Sequence, residues 1–93
     1  MITVVLPSQL DSYTRGTRQV MLEFGQTGAP PTLGNVMDAL DERFHGLKFR
    51  VIDEQDQIRR HIAIFVGETL VHALDTTLGE NARVQIVGAL SGG

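Results

Sequence analysis

One segment of this sequence has a helical period, and it restricts the folds that the chain can form. Residues 32–46 read TLGNVMDALDERFHG. Their apolar side chains recur at helical spacing, at Leu33, Val36, Met37, Leu40 and Phe44. This spacing predicts an α-helix with one apolar side, which Thr32 can cap and Gly46 can end. Such a helix needs an apolar surface to cover, and the strand-like runs elsewhere in the sequence predict a β-sheet that provides it.

Short apolar runs outside this segment have the pattern of β-strands. The predicted strands are residues 2–7, 18–24, 58–66, 69–74 and 82–90. The predicted connections are a loop at 8–17, a turn-rich segment at 25–31, a polar loop at 53–57 and a turn-rich crossing at 75–81. Residues 47–52 fit either a short strand or an irregular turn. The first two strands form one expected hairpin, and the next two form another around a Gly67-Glu68 turn.

The order of these elements predicts the fold class. A hairpin, a helix, a second hairpin and a final strand follow one another in the β-grasp (ubiquitin-like) fold, which is an α+β architecture. We expect a mixed sheet of four or five strands with the main helix packed on one face. The final strand is expected beside the first strand and parallel to it. Residues 1–90 are predicted to form a single domain, and residues 91–93 a flexible Ser-Gly-Gly tail.

The composition argues against several classes of function. The sequence has no cysteine, which excludes disulfides, thiolate nucleophiles and zinc–thiolate sites. Its formal net charge of −3 argues against nucleic-acid binding. No nucleotide-binding glycine motif is present, and His45, His61 and His72 lack the spacing of metal ligands. We therefore expect no bound cofactor, no metal site and no enzymatic activity of the chain itself.

Two further patterns are interpreted conservatively. Asp53, Glu54 and Asp56 are predicted to lie in a solvated turn, because a calcium loop needs a longer ordered pattern that ends in glutamate. No apolar run has the length needed to cross a bilayer, and the N-terminal residues lack the features of a secretory signal. The expected location is therefore the cytoplasm, with no membrane partner.

The alternation of side chains along the strands predicts a docking surface on the sheet face away from the helix. Ala63 and Phe65 of one strand, and Val87 and Ala89 of the last strand, point away from the better core residues. If the two strands are neighbours, these side chains form an apolar patch. Its predicted polar rim consists of Arg59, His61, Arg83 and Gln85. An apolar centre with a polar rim is typical of a docking surface, although one or two exposed apolar residues are also ordinary.

The residues from Leu90 to Gly93 predict a reactive tail. Glycine has no Cβ, so Gly92-Gly93 can enter a narrow cleft in a partner protein, and four extended residues reach about 13 Å. A terminal carboxylate is ionised at neutral pH, and a partner that uses ATP can convert it to an acyl adenylate. Sulfide or an amine can then replace AMP. The alternative is that small residues simply collect at a fraying end.

Two stretches resemble the ubiquitin-like sulfur carriers, which include the molybdopterin-synthase small subunit, the thiamine sulfur carrier and relatives in cysteine biosynthesis. TLGNVMDALDERFHGL at 32–47 is similar to the helix of that family, and FVGETLVHALDTTLGENARVQIVGALSGG at 65–93 is similar to its closing half. The resemblance implies that Gly93 is adenylated and converted to a thiocarboxylate. Leu90, Ser91 and Gly92 would form the rest of the inserted tail, and Phe65 and Val87 would match the family's docking face.

The same resemblance implies the partners. They are an adenylyltransferase or sulfurtransferase of the ubiquitin-activating type, which uses ATP, and a sulfur-acceptor enzyme such as a molybdopterin synthase large subunit. Many members have proline where this chain has Gly88-Ala89, and asparagine where it has Val66. Those positions touch partners, so the pathway stays open, with molybdopterin favoured. Two alternatives remain: a ubiquitin-like modifier joined through Gly93 to target lysines, and a β-grasp binding module whose glycines are incidental.

Overall fold

The apolar side of the predicted helix forms the centre of the folded chain. The computed structural model describes residues 1–25 and 28–88. In chain order the elements are β1 (Ile2–Val5), a 3₁₀ turn (Ser8–Leu10), α1 (Asp11–Thr14), β2 (Gln19–Leu22), α2 (Leu33–Arg43), α3 (Leu47–Val51), β3 (Ile62–Val66), β4 (Thr69–Val71) and β5 (Arg83–Gly88). Over the ranges given above, no helix has the length and apolar character that crossing a membrane requires.

The strands form one mixed sheet of five strands in the order β2-β1-β5-β3-β4. β5 lies between β1, to which it is parallel, and β3, to which it is antiparallel, so the predicted position of the last strand is confirmed. Both predicted hairpins are present as the antiparallel pairs β1–β2 and β3–β4. With α2 packed on the sheet, this arrangement is the predicted β-grasp fold.

The main helix, α2, follows its predicted pattern closely. Leu33, Val36, Met37 and Leu40 are fully buried in the same cluster as the core residues of the sheet. Burial of each such aliphatic side chain contributes roughly 1.5–3 kcal/mol. The helix begins at a capping box: the Thr32 hydroxyl accepts a hydrogen bond from the backbone N–H of Asn35, and the Asn35 side chain accepts one from the Thr32 N–H. These two bonds satisfy N–H groups that a helix start otherwise leaves unpaired.

The sequence pattern of residues 47–52 predicts a strand or an irregular turn, and this prediction is wrong. Gly46, with a φ of +91°, turns the chain in the left-handed region that favours glycine, and α3 follows directly. Leu47 and Val51 lie four residues apart and are fully buried. The carboxylate of Asp41 accepts hydrogen bonds from the backbone N–H groups of Gly46 and Lys48, both at 3.1 Å. Burial of two side chains and this carboxylate therefore stabilise a helix that has only five residues.

The segment predicted as a loop at 8–17 also has helical structure, in the 3₁₀ turn and α1. Leu10 and Thr14 are buried on its inner side. The Arg18 guanidinium donates two hydrogen bonds to the Asp11 carboxylate, at 3.1 and 2.8 Å, and so ties the end of the segment back to α1. The connection between β1 and β2 is therefore anchored on both sides.

The third strand starts later than the sequence predicts. β3 begins at Ile62, because residues 58–61 are taken up by other contacts. Ile58 forms an isolated bridge with Ile52, and the N–H of Arg59 donates to the carbonyl of Val51 at 2.9 Å. A turn closed by the Ile62 N–H on the Arg59 carbonyl, at 2.9 Å, then leads into the sheet. β4 is likewise shorter than predicted, and ends at Val71.

Replacing Thr32 by alanine tests the origin of α2. The variant loses the hydroxyl that accepts from Asn35, so we expect the free energy of unfolding to fall by about 1 kcal/mol. Urea denaturation measures the change. Thr32→Ser keeps the hydroxyl and should retain most of the stability. Equal losses in the two variants would show that the hydrogen bond is not what the position contributes.

Candidate functional site

Among the described residues, no helix covers one face of the sheet, and we call this the open sheet face. Side chains that alternate with the buried ones define it: Gln19, Met21, Thr3, Val5, Arg83, Gln85, Val87, Ala63, Phe65 and Leu70. The strand registers place these residues in rows across the sheet. One row runs from Leu70 through Phe65 and Gln85 to Val5.

The centre of the open sheet face is apolar. Ala63 lies directly opposite Val87, and Phe65 lies between Leu70 and Gln85. Phe65, Val87 and Ala63 are each half-buried by their neighbours, whereas the Leu70 side chain is 45% exposed. The structure therefore brings together the three described residues that the sequence places in the patch; Ala89, the fourth, lies outside the described residues.

Sequence reasoning missed part of this surface. Leu70 on β4, Val5 on β1 and Met21 on β2 share the open sheet face with the predicted patch. Met21 is 49% exposed, and Leu70 nearly as much. The signal was available, because the same two-residue alternation that identified Phe65 also assigns Leu70 and Val5 once the neighbouring strands are known. The predicted turn at Gly67-Glu68 already fixes the register that places Leu70 opposite Phe65, and only the position of Val5 depends on the register of β1 against β5.

Only part of the predicted polar rim lies on the strands of the open sheet face. Arg83 is exposed on the open sheet face, and Gln85 lies beside Phe65. Arg59 and His61 precede β3, so the alternation that assigned them to this face does not hold for them. The Arg59 Nε donates to the carbonyl of Phe49 at 2.8 Å, and its guanidinium lies 4.6 Å from the centre of the Phe49 ring. His61 is exposed in the turn before the strand.

Arg59 nevertheless contributes to the edge of the face. Together with Arg60 and His72 it lines a depression that Ala63 and Leu70 also line. The apolar centre therefore has basic side chains on the β4 side and Arg83 on β5. These arginines concentrate positive charge at one surface of a chain whose formal net charge is −3.

The predicted tail follows β5, the middle strand of the sheet. β5 is hydrogen-bonded on both sides, and its Val84 and Ile86 are buried under α2. Gly88 is its last residue, and the predicted tail residues Leu90, Ser91, Gly92 and Gly93 lie outside the described residues. Whatever follows Gly88 therefore starts from a fixed point beside the open sheet face.

The titratable groups in the part of the chain that is described form no metal site. No group of three or more histidine, aspartate or glutamate side chains there could hold a metal ion. The carboxylate of Asp53 accepts from the N–H groups of Gln57 and Gln55, both at 2.9 Å, and these bonds hold the pKa of Asp53 below its usual range. The predicted interpretation of this acidic segment as a turn is confirmed.

Lys48 is the only lysine in the sequence, and so the only side-chain amine. Its Nζ donates to Asp38 Oδ1 at 2.6 Å, and this hydrogen bond raises the pKa of the Lys48 ammonium above its ordinary value. An amine is nucleophilic only when it is deprotonated. Lys48 is therefore a weaker acceptor for an activated carbonyl than an unpaired lysine at the same pH.

Known structures share this fold along the whole chain. CysO from Amycolatopsis orientalis, in a crystal structure of the BexX/CysO complex, is 24% identical with a TM-score of 0.84, and the match covers 100% of both chains. CysO from Mycobacterium tuberculosis, described as an antigen, is 25% identical with a TM-score of 0.82 over 97% of this chain and 100% of that chain. SAMP1, a small archaeal modifier protein from Haloferax volcanii, is 22% identical with a TM-score of 0.79 over 99% and 98%.

The predicted resemblance is confirmed: the chain has the fold of the ubiquitin-like sulfur carriers. No protein-family model matches the sequence, and a search of the curated proteins finds no match. The likeness to the sulfur-carrier fold is therefore found in the structure, although the sequence identity is low. Because the match extends over whole chains, it includes the strand order that creates the open sheet face and positions β5 at its centre.

Proposed function

We propose that this chain is a sulfur carrier protein, whose Gly93 is adenylated by a ubiquitin-activating-type enzyme and then converted to a thiocarboxylate. The observation that carries the proposal is that Gly92-Gly93 follows within five residues of β5, the central strand of a β-grasp sheet. The five residues from Ala89 to Gly93 can span at most about 17 Å, which allows a carboxylate on Gly93 to enter the active site of a docked enzyme. The proposal requires that the mature protein has its free carboxylate on Gly93.

The chemistry proceeds in two displacements, neither of which needs a catalytic side chain from this chain. An oxygen of the Gly93 carboxylate attacks the α-phosphorus of ATP, and the bond to pyrophosphate breaks. Hydrosulfide then attacks the carbonyl carbon of the acyl adenylate, and the carbon–oxygen bond to AMP breaks. The product is the thiocarboxylate. ATP is bound and used by the partner enzyme, so this chain serves as a substrate.

The open sheet face supplies the docking surface in this proposal. Phe65, Val87 and Ala63 provide apolar contact area, and Arg83 with the basic edge near β4 provides orientation. We further propose that the same face is used in turn by the activating enzyme and by a sulfur-acceptor enzyme, since both must reach the tail that starts at β5.

The proposal also concerns the pathway that receives the sulfur. The sequence resemblance favours a molybdopterin synthase large subunit as the acceptor of the sulfur. The likeness to two CysO proteins supports the class of small carrier, and the BexX/CysO complex supports binding of a partner protein by a chain of this fold. We retain molybdopterin as the first acceptor to test, and a biosynthetic enzyme for another sulfur-containing metabolite as the next.

A protein modifier is the second candidate function, and the likeness to SAMP1 supports it. The first step is the same, but a lysine amine of a target protein then displaces AMP and forms an isopeptide bond. Lys48 is the only lysine through which one copy could be linked to the side chain of another, and its ammonium is paired with Asp38. A Gly-Gly remnant on target lysines distinguishes this function from that of a carrier.

Intact-mass analysis of protein purified from its own cells tests the proposal. We expect a species that ends at Gly93, and a second species heavier by the replacement of one oxygen with sulfur. Treatment with an alkylating reagent should modify only the heavier species, because the sequence contains no cysteine. A mature protein that extends beyond Gly93 would rule out the carrier function. So would a protein that never carries sulfur in cells that are forming the products of the pathway that receives it.

Phe65→Ala tests the docking surface. Removing a central aromatic side chain should raise the KM for activation by the cognate enzyme about tenfold with little change in kcat, as expected when a contact of about 1.4 kcal/mol is lost from the centre of an interface. His45→Ala is the control, because the His45 ring is exposed in the turn between α2 and α3 and lies outside the open sheet face. An equal effect of both variants, or none from Phe65→Ala, would move docking away from this face.

A further inference from the structure

Gln9, in the 3₁₀ turn after β1, lies directly against the end of β5. Its side-chain Nε2 donates a hydrogen bond to the carbonyl of Gly88 at 3.2 Å, although the two residues are 79 positions apart in sequence. A Cβ added to Gly88 would lie 2.8 Å from Gln9 Cδ, 3.0 Å from Oε1 and 3.1 Å from Nε2. The Gln9 amide therefore occupies the space that any side chain at position 88 would need.

The turn that carries Gln9 is held in place by the core and by an ion pair. Leu10, its neighbour, is only 4% exposed, and the Leu10 N–H donates to the carbonyl of Pro7 at 3.1 Å. Asp11, the next residue, pairs with Arg18 at the start of β2. Only Leu6 and Pro7 separate the turn from β1, which is the parallel neighbour of β5. Gln9 is thus presented to Gly88 by anchored backbone.

Gly88 is the point at which such a contact matters most. Glycine has more backbone freedom than any other residue, and this glycine ends the strand that leads to the proposed tail. A hydrogen bond to its carbonyl and a side chain packed on its Cα restrict that freedom from one side. The pairing of β5 with β3, which matches Gly88 with Ile62, restricts it from another.

We propose that Gln9 is a positioning residue that clamps Gly88 and so sets the direction in which the chain leaves the sheet. The role of this clamp rests on the proposed function, because the direction matters only if the residues after Gly88 must enter a partner. A chain segment whose starting point is already ordered loses less conformational entropy on binding. Gln9 does not take part in the chemistry; it lowers the cost of inserting the tail.

The contact itself can be tested without any partner. The backbone order parameter of Gly88, from ¹⁵N relaxation, should be near the rigid value of about 0.85 in the wild-type chain and should fall in Gln9→Ala. Gln9→Glu should have the same effect, since a carboxylate of nearly the same size cannot donate to the carbonyl. Gln55→Ala, at an exposed glutamine in the loop after α3, is the control and should leave Gly88 unchanged. An unchanged order parameter in Gln9→Ala would overturn the clamp.

The role in positioning is tested by activation kinetics. Gln9→Ala should raise the KM for adenylation roughly fivefold, the factor for one hydrogen bond between neutral groups, with kcat preserved. Gly88→Ala should do the same, because its Cβ would lie within 3.1 Å of the Gln9 amide atoms and displace the amide from the Gly88 carbonyl, and the double variant should be no worse than either single one. Additive effects, or a loss of kcat with KM unchanged, would contradict the role.

The two arms separate this inference from the proposed function. If the wild-type chain is not adenylated by any ubiquitin-activating-type enzyme of its own cells, the proposed function fails, and the role of the clamp fails with it. The relaxation measurement still decides whether Gln9 holds Gly88. If Gly88 loosens in Gln9→Ala and the KM stays the same, the proposed function survives and only the positioning role is lost.

Discussion

The pairing of β5 with β1 on one side and β3 on the other is the constraint on which the rest of the structure depends. Because β5 is parallel to β1, the chain between them must form a crossover connection. This connection includes α2 and the β3–β4 hairpin. Val84 and Ile86 then bury fully under α2, so hydrophobic burial and two hydrogen-bonded ladders both hold the strand. A strand held in this way provides a rigid base for whatever follows it.

The same alternation that fills the core also creates the functional surface. Each inward side chain of β3 and β5 is matched by an outward one, and the outward set includes Phe65, Ala63 and Val87. Among the described residues no helix covers this set, because the apolar side of the main helix, α2, is already buried in the core. Core and docking surface are therefore two consequences of a single strand order, and a change of register by one residue would exchange them.

Much of this could be predicted from the sequence, and the limits have physical causes. The helical spacing along α2 and the alternation in β3 and β5 are strong local signals. The sequence therefore predicts the helix, the hairpins and the residues of the patch. α3 could not be predicted, because a segment of five residues shows little periodicity. Its stability comes from the burial of Leu47 and Val51 and from the hydrogen bonds that Asp41 accepts. Arg59 was misplaced for a similar reason: its contacts with Phe49 and Val51 are tertiary and leave no local pattern. Leu70 follows from the predicted turn at Gly67-Glu68, whereas the contact of Gln9 with Gly88 depends on the folded backbone.

The division of labour that emerges is simple: the folded part provides recognition and a fixed starting point, and the reactive group lies on the tail. Pyrophosphate exchange measures this directly, with the cognate adenylyltransferase, radiolabelled pyrophosphate and ATP. The wild-type chain should support exchange, whereas a chain with a single alanine appended after Gly93 should bind the enzyme with similar affinity and support none. Exchange at the wild-type rate by the extended chain would contradict the assignment of the reactive carbonyl to Gly93.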